Sequence, residues 1–169
     1  ITRERNKGGI AMHLTIHKLV VLRNEIHMYK NMLHEREILI EEYNKPLQDM
    51  QDELAEVKEQ LKTIRSPASD GLGGYIQEKD SKYNSLITKK DELPKEIVKY
   101  VQMNEKEYLA DLEFWNVRIA TVEYYLSKMD ALDRKFIEDF HYNLSKKSCM
   151  IRYNIKNVNS LYRKSDNIL

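Results

Sequence analysis

Glycine and proline are scarce in this chain, whose 169 residues include only five glycines and three prolines. A protein built from β-sheets needs a turn about every 8 to 12 residues, and these two residue types supply many tight turns. Charged residues make up 33% of the chain and hydrophobic residues 41%. The composition therefore predicts an all-α protein made of a few long helices, and it argues against a compact globular enzyme.

Cysteine is nearly absent as well, because Cys149 is the only one in the sequence. A lone cysteine forms neither an internal disulfide nor a cysteine-based metal site, which favours a reducing compartment such as the cytoplasm. The sequence has no run of roughly 20 apolar residues, the length of a membrane span, and residues 1–11 lack the apolar core of a signal peptide. We expect a soluble protein without a membrane partner, in which residues 1–11 are a flexible extension.

A long apolar pattern starts at Leu19, with apolar residues at alternating steps of three and four and Arg36 as the only exception. Its members are Leu19, Leu22, Ile26, Tyr29, Leu33, Ile40, Tyr43, Leu47, Met50, Leu54, Val57, Leu61 and Ile64. A period of 3.5 residues kept over this length is typical of a left-handed coiled-coil seam. Residues 14–64 are therefore predicted to form a helical arm on the order of 75 Å long, with a kink or a short break near Pro46.

More apolar side chains lie beside this seam in the half that precedes Pro46. They are Val20, Val21, Met28, Met32, Ile38 and Leu39. A stripe of this width predicts that the first half of the arm buries more than one face.

A second helical arm follows the glycine cluster in residues 66–74. Its pattern is diluted at first, and Pro94 is expected in the first turn of a new helix. A strong seam then runs through Tyr108, Leu112, Trp115, Ile119, Val122, Leu126 and Met129. The second arm is predicted to fold back along the first, so that residues 12–129 form an antiparallel coiled-coil hairpin with the loop 66–74 at its tip.

The apolar faces that such a hairpin leaves over favour self-association, which makes residues 12–129 a candidate oligomerisation stem. The oligomer seam is predicted at Leu47, Met50, Leu54, Val57, Leu61, Trp115, Ile119, Val122 and Leu126. Periodicity leaves open whether this seam closes within one chain or between the chains of a homo-oligomer.

No motif of an active site, a cofactor site or a metal site is found. His13 and His17 share a helix face, but no carboxylate or cysteine nearby completes a metal set. His34 and Glu35 lack the second histidine of a zinc protease motif, because Ile38 occupies its position. The glycine cluster follows no predicted strand, which argues against nucleotide binding. The chain is predicted to be no enzyme and to require neither cofactor nor metal.

Short helices are predicted after Met129. Three residues are suitable N-caps, namely Asp130, Ser145 and Asn157. The inward side chains of the three helices are predicted to be Leu132, Phe136, Ile137, Phe140, Cys149, Met150, Tyr153, Val158, Leu161 and Tyr162. Asn154 lies where a tight turn needs left-handed backbone, and Ile155 follows it as a small apolar plug. This order of helices and turn in residues 130–169 is the plan of a helix-turn-helix.

The charge is unevenly distributed along the chain. Residues 145–169 contain six basic side chains and one acid, a net charge of +5, which leaves −4 for the first 144 residues because the total is +1. A basic end on an acidic stem is typical of a module that contacts nucleic-acid phosphates. The alternative is a basic surface helix without a role in nucleic-acid binding. Together with the helix-turn-helix plan, the charge favours double-stranded DNA as the expected partner.

A resemblance to a known family covers roughly residues 60–169. The order of a Ser-Pro loop with clustered glycines, a helical arm, the stretch 129–137 and the stretch 144–162 resembles the ArpU/RinA-like regulators of late gene transcription in phages and prophages. The C-terminal domain of those proteins is similar to region 4 of sigma factors. Leu126, Met129, Asp130 and Arg134 loosely fit the pattern that precedes the first helix of that domain.

The resemblance implies sequence-specific binding of a late promoter or operator by an oligomer that activates late genes. It places Ser145, Lys146, Lys147, Arg152 and Lys164 on DNA phosphates. It places another set in the major groove, where asparagine can pair with adenine and arginine with guanine. That set comprises Lys156, Asn157, Asn159, Ser160 and Arg163.

Host RNA polymerase or a regulatory protein is a further candidate partner. The alternative function is a non-enzymatic structural or adaptor protein, whose coiled coil binds another protein and whose C-terminal helices only cap a dimer. The sequence does not distinguish activation from repression.

Overall fold

The computed structural model describes residues 16–65 and 76–169, and within these ranges it contains helices and no strands. Two long helices, α1 (Ile16–Arg65) and α2 (Ile76–Lys128), precede three short ones, α3 (Ala131–Glu138), α4 (Lys146–Arg152) and α5 (Val158–Ile168). A π-helical turn, Asp139–Asn143, directly follows α3. The prediction of an all-helical chain with two long packed helices is confirmed. The predicted extension 1–11, His13 and the predicted loop 66–74 lie outside the described residues.

Both long helices run through a proline, which corrects two expectations. Helix α1 continues past Pro46 without the short break that the sequence allowed, and Pro94 lies inside α2 rather than in the first turn of a new helix. A proline leaves the carbonyl four residues earlier without its helical partner. Those carbonyls belong to Glu42 and Lys90, which are exposed. Water can satisfy them there, so neither helix has to end.

The described chain divides into two compact units. One contains residues 34–116 and is called the hairpin unit below. The other contains the described residues up to 33 together with 117–169, and is called the head unit. None of the described helices has a stretch of the length and apolarity needed to cross a bilayer.

In the hairpin unit, α1 and α2 pack antiparallel along their seam. Nζ of Lys89 lies 2.7 Å from Oε1 of Glu53, and the rings of Tyr43 and Tyr108 stack at 4.0 Å. Positions further along α1 thus contact positions further back along α2. The buried core of this unit consists of Val57, Leu61, Leu86 and Leu93, with Leu54, Tyr83 and Ile87 packed against it. The apolar period predicted these contacts, because side chains at that spacing share one helix face.

In the head unit, α1 and α2 bury a second set of seam residues within a single chain. They are Leu22, Ile26, Ile119, Val122 and Leu126. Met32, beside the seam, is also buried, as the wide stripe predicted. Val20, Val21 and Met28 are exposed, so the second buried face is narrower than the sequence suggested.

The short helices enclose a small core of their own. It consists of Phe136, Ile137, Phe140, Cys149 and Leu161. The rings of Phe136 and Tyr153 meet edge to face at 4.9 Å, and those of Phe140 and Tyr162 at 5.2 Å. The expectations of an inward Leu132 and an inward Val158 are wrong. The side chain of Leu132 is 81% exposed and that of Val158 is 36% exposed, because each lies in the first turn of its helix on a side that the described residues leave open.

All three predicted N-caps are confirmed. The carboxylate of Asp130 accepts hydrogen bonds from the backbone N–H groups of Leu132 and Asp133 at 2.9 and 2.8 Å. The hydroxyl of Ser145 accepts one from the N–H of Ser148 at 3.1 Å. At the start of α5, Asn157 accepts one from the N–H of Ser160 at 2.8 Å. Each cap satisfies donors that a helix start would otherwise leave unpaired.

Candidate nucleic-acid interface

A tight turn separates α4 from α5. Asn154 has a φ of 51°, the left-handed backbone predicted for it. The N–H of Ile155 donates to the carbonyl of Met150 at 2.9 Å, and that of Asn154 to the carbonyl of Ile151 at 3.3 Å. This pair of hydrogen bonds forms a Schellman motif, which ends α4 and redirects the chain. Asn157 then caps α5, so the angle between α4 and α5 depends on the Schellman motif and on this N-cap.

Arg152, one of the predicted phosphate contacts, pairs with an acid from its own chain. Its Nη1 lies 3.1 Å from Oδ2 of Asp139, whose side chain is buried. The same oxygen accepts a hydrogen bond from the hydroxyl of Tyr153 at 2.7 Å. Burial, followed by this hydrogen bond, raises the pKa of Tyr153 to about 12. Asp139 therefore orients Arg152 and partly neutralises it.

Two lysines of the predicted phosphate set lie over aromatic rings. Nζ of Lys146 is 5.1 Å from the ring centre of Tyr162. Nζ of Lys164 is 4.5 Å from the ring centre of Phe136 and 5.3 Å from that of Tyr153. A cation over a ring face is held in place without losing its charge. Both lysines are exposed, and Lys147 is also exposed.

The predicted major-groove set divides into exposed and engaged side chains. Lys156, Asn159 and Arg163 are exposed, and Asn159 and Arg163 share a face of α5 because they are four residues apart. Ser160 is half-buried. The side-chain oxygen of Asn157, like that of Ser145, serves as a helix cap. The capping hydrogen bond uses an acceptor site of each oxygen, so the hydroxyl hydrogen of Ser145 and the Nδ2 donors of Asn157 are the groups suited to contact DNA.

Helix α1 makes polar contacts with the short helices of the head unit, which periodicity did not predict. Arg23 pairs with Asp166 of α5, and Nζ of Lys30 donates to Oδ1 of Asn143 at 3.0 Å. Nδ1 of His27 lies 3.0 Å from the carbonyl oxygen of His141. These polar residues lie beside the apolar stripe of α1, and only the unusual width of that stripe indicated that another element packs there.

His141 is buried where α1 meets the short helices. Its Nε2 lies 3.0 Å from the hydroxyl of Ser165, which is also buried. Burial, together with the neighbouring imidazole of His27 and the guanidinium of Arg23, lowers the pKa of His141 to about 4, while Asp166 acts in the opposite direction. The imidazole is therefore neutral at pH 7, which suits a buried ring that has a single hydroxyl partner.

The predicted oligomer seam lies along both units. Val57, Leu61, Ile119, Val122 and Leu126 are buried within the single chain. The other four members are half-buried, namely Leu47, Met50, Leu54 and Trp115. Contacts inside one chain thus cover much of this seam.

The described residues contain no cluster of three His, Cys, Asp or Glu side chains that could hold a metal ion. Cys149 is buried in the core of the short helices, and burial raises the pKa of its thiol. The thiol form therefore dominates at neutral pH, and its contacts there are those of a small apolar side chain.

Comparison with known proteins gives no match: no family model fits the sequence, and no curated protein and no solved structure is significantly similar to it.

Proposed function

We propose that this chain is a phage or prophage regulator that binds specific DNA sequences and activates late gene transcription. Residues 130–169 act as a helix-turn-helix similar to sigma factor region 4, with α4 before the turn and α5 as the recognition helix. The observation that carries the proposal is the pair of capped helices α4 and α5, joined by a left-handed turn at Asn154, with basic side chains exposed on both.

The distribution of exposed side chains supports this assignment. Lys147 is exposed on α4, and Asn159 and Arg163 are exposed together on α5. A phosphate contact, the role assigned to Lys147, carries no sequence information, whereas asparagine and arginine can form two hydrogen bonds each with adenine and guanine. A short helix with these two residues on one face is suited to the major groove.

The fixed geometry of the short helices supports it as well. Aromatic contacts link Tyr153, at the end of α4, to α3 and link α5 to the π-helical turn, and a buried core lies among these elements. A recognition helix must present its side chains in one orientation, because base contacts depend on hydrogen-bond geometry. In this proposal the hairpin supports a homo-oligomer on a two-part operator, and host RNA polymerase or a regulatory protein binds the assembled complex.

The test is binding to DNA that spans a late promoter of the genome encoding the chain, against a scrambled sequence of equal length, across a salt series. The proposal expects the promoter fragment to bind at least 10³-fold more tightly at physiological salt, as specific sites generally do. Arg163→Ala should lower this ratio about 10-fold or more, because a bidentate base contact is worth about 1–3 kcal/mol.

Lys58→Ala is the matched control, because it removes one exposed positive charge from α1 in the hairpin unit. It should leave the ratio unchanged. Equal affinity of the wild-type protein for both DNA fragments would disprove a sequence-specific regulator.

A structural or adaptor protein is the second candidate, and exposed apolar side chains on α2 favour it. In the hairpin unit they include Val98, Met103, Leu109 and Phe114, of which Met103 is 69% exposed. An apolar stripe on one helix face is typical of a surface that binds another helix. Met103 and Phe114 are eleven positions apart, which is close to three helical turns, so they share one face of α2. No affinity for any DNA, together with loss of oligomers in Met103→Glu, would favour this candidate over the first.

A further inference from the structure

A cavity of about 260 Å³ lies between α1 and the short helices of the head unit. Helix α1 contributes Arg23, Asn24 and His27 to its wall, and the opposite wall comprises Phe140, His141, Lys146 and Tyr162. Pockets for drug-sized molecules usually measure about 300–1,000 Å³. This cavity is therefore suited to a small group such as a phosphate.

The polar atoms of the wall are mainly donors and cations. Nη2 of Arg23 pairs with Asp166. Lys146 supplies a second positive charge, and Asn24 is exposed at the wall. Arginine has five donors in a planar fork, and one ion pair with Asp166 leaves donors for another oxyanion.

The charges of the lining residues favour an anion. Arg23 and Lys146 line the cavity, and none of the described residues that line it is a carboxylate. Asp166 pairs with Arg23 but is not part of this lining. The excess of positive charge in the lining attracts an anion.

We propose that this cavity binds a phosphate group of the DNA backbone, so that α1 forms part of the DNA interface together with the short helices. This rests on the proposed function and extends it, because every residue of the predicted interface belongs to residues 145–169. Lys146 connects the two surfaces, since it lines the cavity and lies beside the α4 N-cap. A phosphate held by both α1 and Lys146 would fix the orientation of α5 in the groove.

The test compares Asn24→Asp with Asn31→Asp in the full-length protein. Both residues are exposed on α1, and the two substitutions change the net charge equally, but only Asn24 lines the cavity. Asn24→Asp should weaken binding to promoter and scrambled DNA alike, by about 10-fold, and reduce the salt slope by about one. Asn31→Asp should change the affinity by less than about twofold, the scale of a screened distant charge. Asn24→Lys should bind both DNA fragments more tightly than Asn31→Lys.

Inorganic phosphate distinguishes a DNA phosphate from a free anion. It is titrated at constant ionic strength, with chloride as control, while the imidazole NMR signals of His27 and His141 are followed. Saturable shifts that vanish in Asn24→Asp and persist in Asn31→Asp support the cavity as a phosphate site.

The outcomes separate this inference from the proposed function. DNA binding by the wild-type protein with equal effects of Asn24→Asp and Asn31→Asp overturns the inference and leaves the function standing. If the cavity binds inorganic phosphate but the protein binds no DNA, the proposed function is overturned. The claim that the bound phosphate belongs to a DNA backbone is then overturned as well, and the cavity is a site for a free anion. Absence of both phosphate and DNA binding overturns both proposals.

Discussion

The hairpin unit and the head unit each contain part of α1 and part of α2, but different kinds of contact stabilise the two units internally. In the hairpin unit, a regular apolar seam, stacked tyrosines and a part-buried hydrogen bond from a tyrosine hydroxyl to a backbone carbonyl join α1 to α2, while the ion pair of Glu53 with Lys89 is exposed. In the head unit, a part-buried ion pair accompanies the apolar core, because Arg118 donates two hydrogen bonds to Glu25. A covered pair with two hydrogen bonds holds both side chains in one orientation, whereas an exposed pair is screened by water and salt. The head unit is thus the part suited to hold a site.

The largest effect is expected from Phe136→Ala, which removes a ring that is 1% exposed in the core of the short helices. A cavity of this kind costs about 3–5 kcal/mol of unfolding free energy. Urea unfolding followed by near-ultraviolet circular dichroism measures the loss. The matched control is Leu132→Ala, which alters the same helix at an exposed position and should change stability by less than about 0.5 kcal/mol. Equal losses would mean that α3 packs on its other face.

A smaller effect is expected from acidification, and it should be confined to the head unit. The folded-state pKa of His141, about 4, lies below its ordinary value of 6.5, so the folded protein favours the neutral ring. The contribution of the neutral ring to the free energy of unfolding is present above pH 6.5 and is lost as the pH falls from 6.5 to 4. The loss is on the order of 3 kcal/mol. Unfolding at pH 7 and at pH 4.5 measures it. His141→Gln should reduce this pH dependence, whereas His34→Gln, in the hairpin unit, should leave it unchanged.

The smallest effect is expected from the ion pairs, and it tests whether polar contacts matter more in the head unit. A double-mutant cycle on Glu25 and Arg118 should give a coupling of about 1 kcal/mol, because both side chains are mostly covered and form two hydrogen bonds. A cycle on Glu53 and Lys89 should give a coupling close to zero, because that pair is exposed and screened. A larger coupling for the exposed pair would contradict the difference between the units.

Local signals in the sequence predicted the features that depend on neighbouring residues. Asp130, Ser145 and Asn157 cap their helices as expected, because a cap needs only a short side chain and the N–H groups two or three residues later. Asn154 adopts the expected left-handed backbone for a similar local reason. The apolar period located the seams of α1 and α2 in the same way, since it records which side chains share a face.

The errors concern effects that depend on surroundings. Pro46 and Pro94 looked like interruptions, but the carbonyls that they leave unpaired belong to exposed residues, and both helices continue. Leu132 has the expected spacing from Phe136, yet no described residue covers it. The candidate interface was likewise only partly predictable: Lys147 and Arg163 are exposed as a DNA contact requires, while Arg152 pairs with Asp139.

The sequence alone determined the helical class, the seams, the caps and the basic charge of residues 145–169, because these follow from composition, period and short-range hydrogen bonding. Only the tertiary structure decided that Arg23, Asn24 and His27 share a cavity with Lys146. More than a hundred positions separate Lys146 from the three residues of α1 along the chain. Their proximity arises from the packing of α1 against the short helices, which no local pattern records.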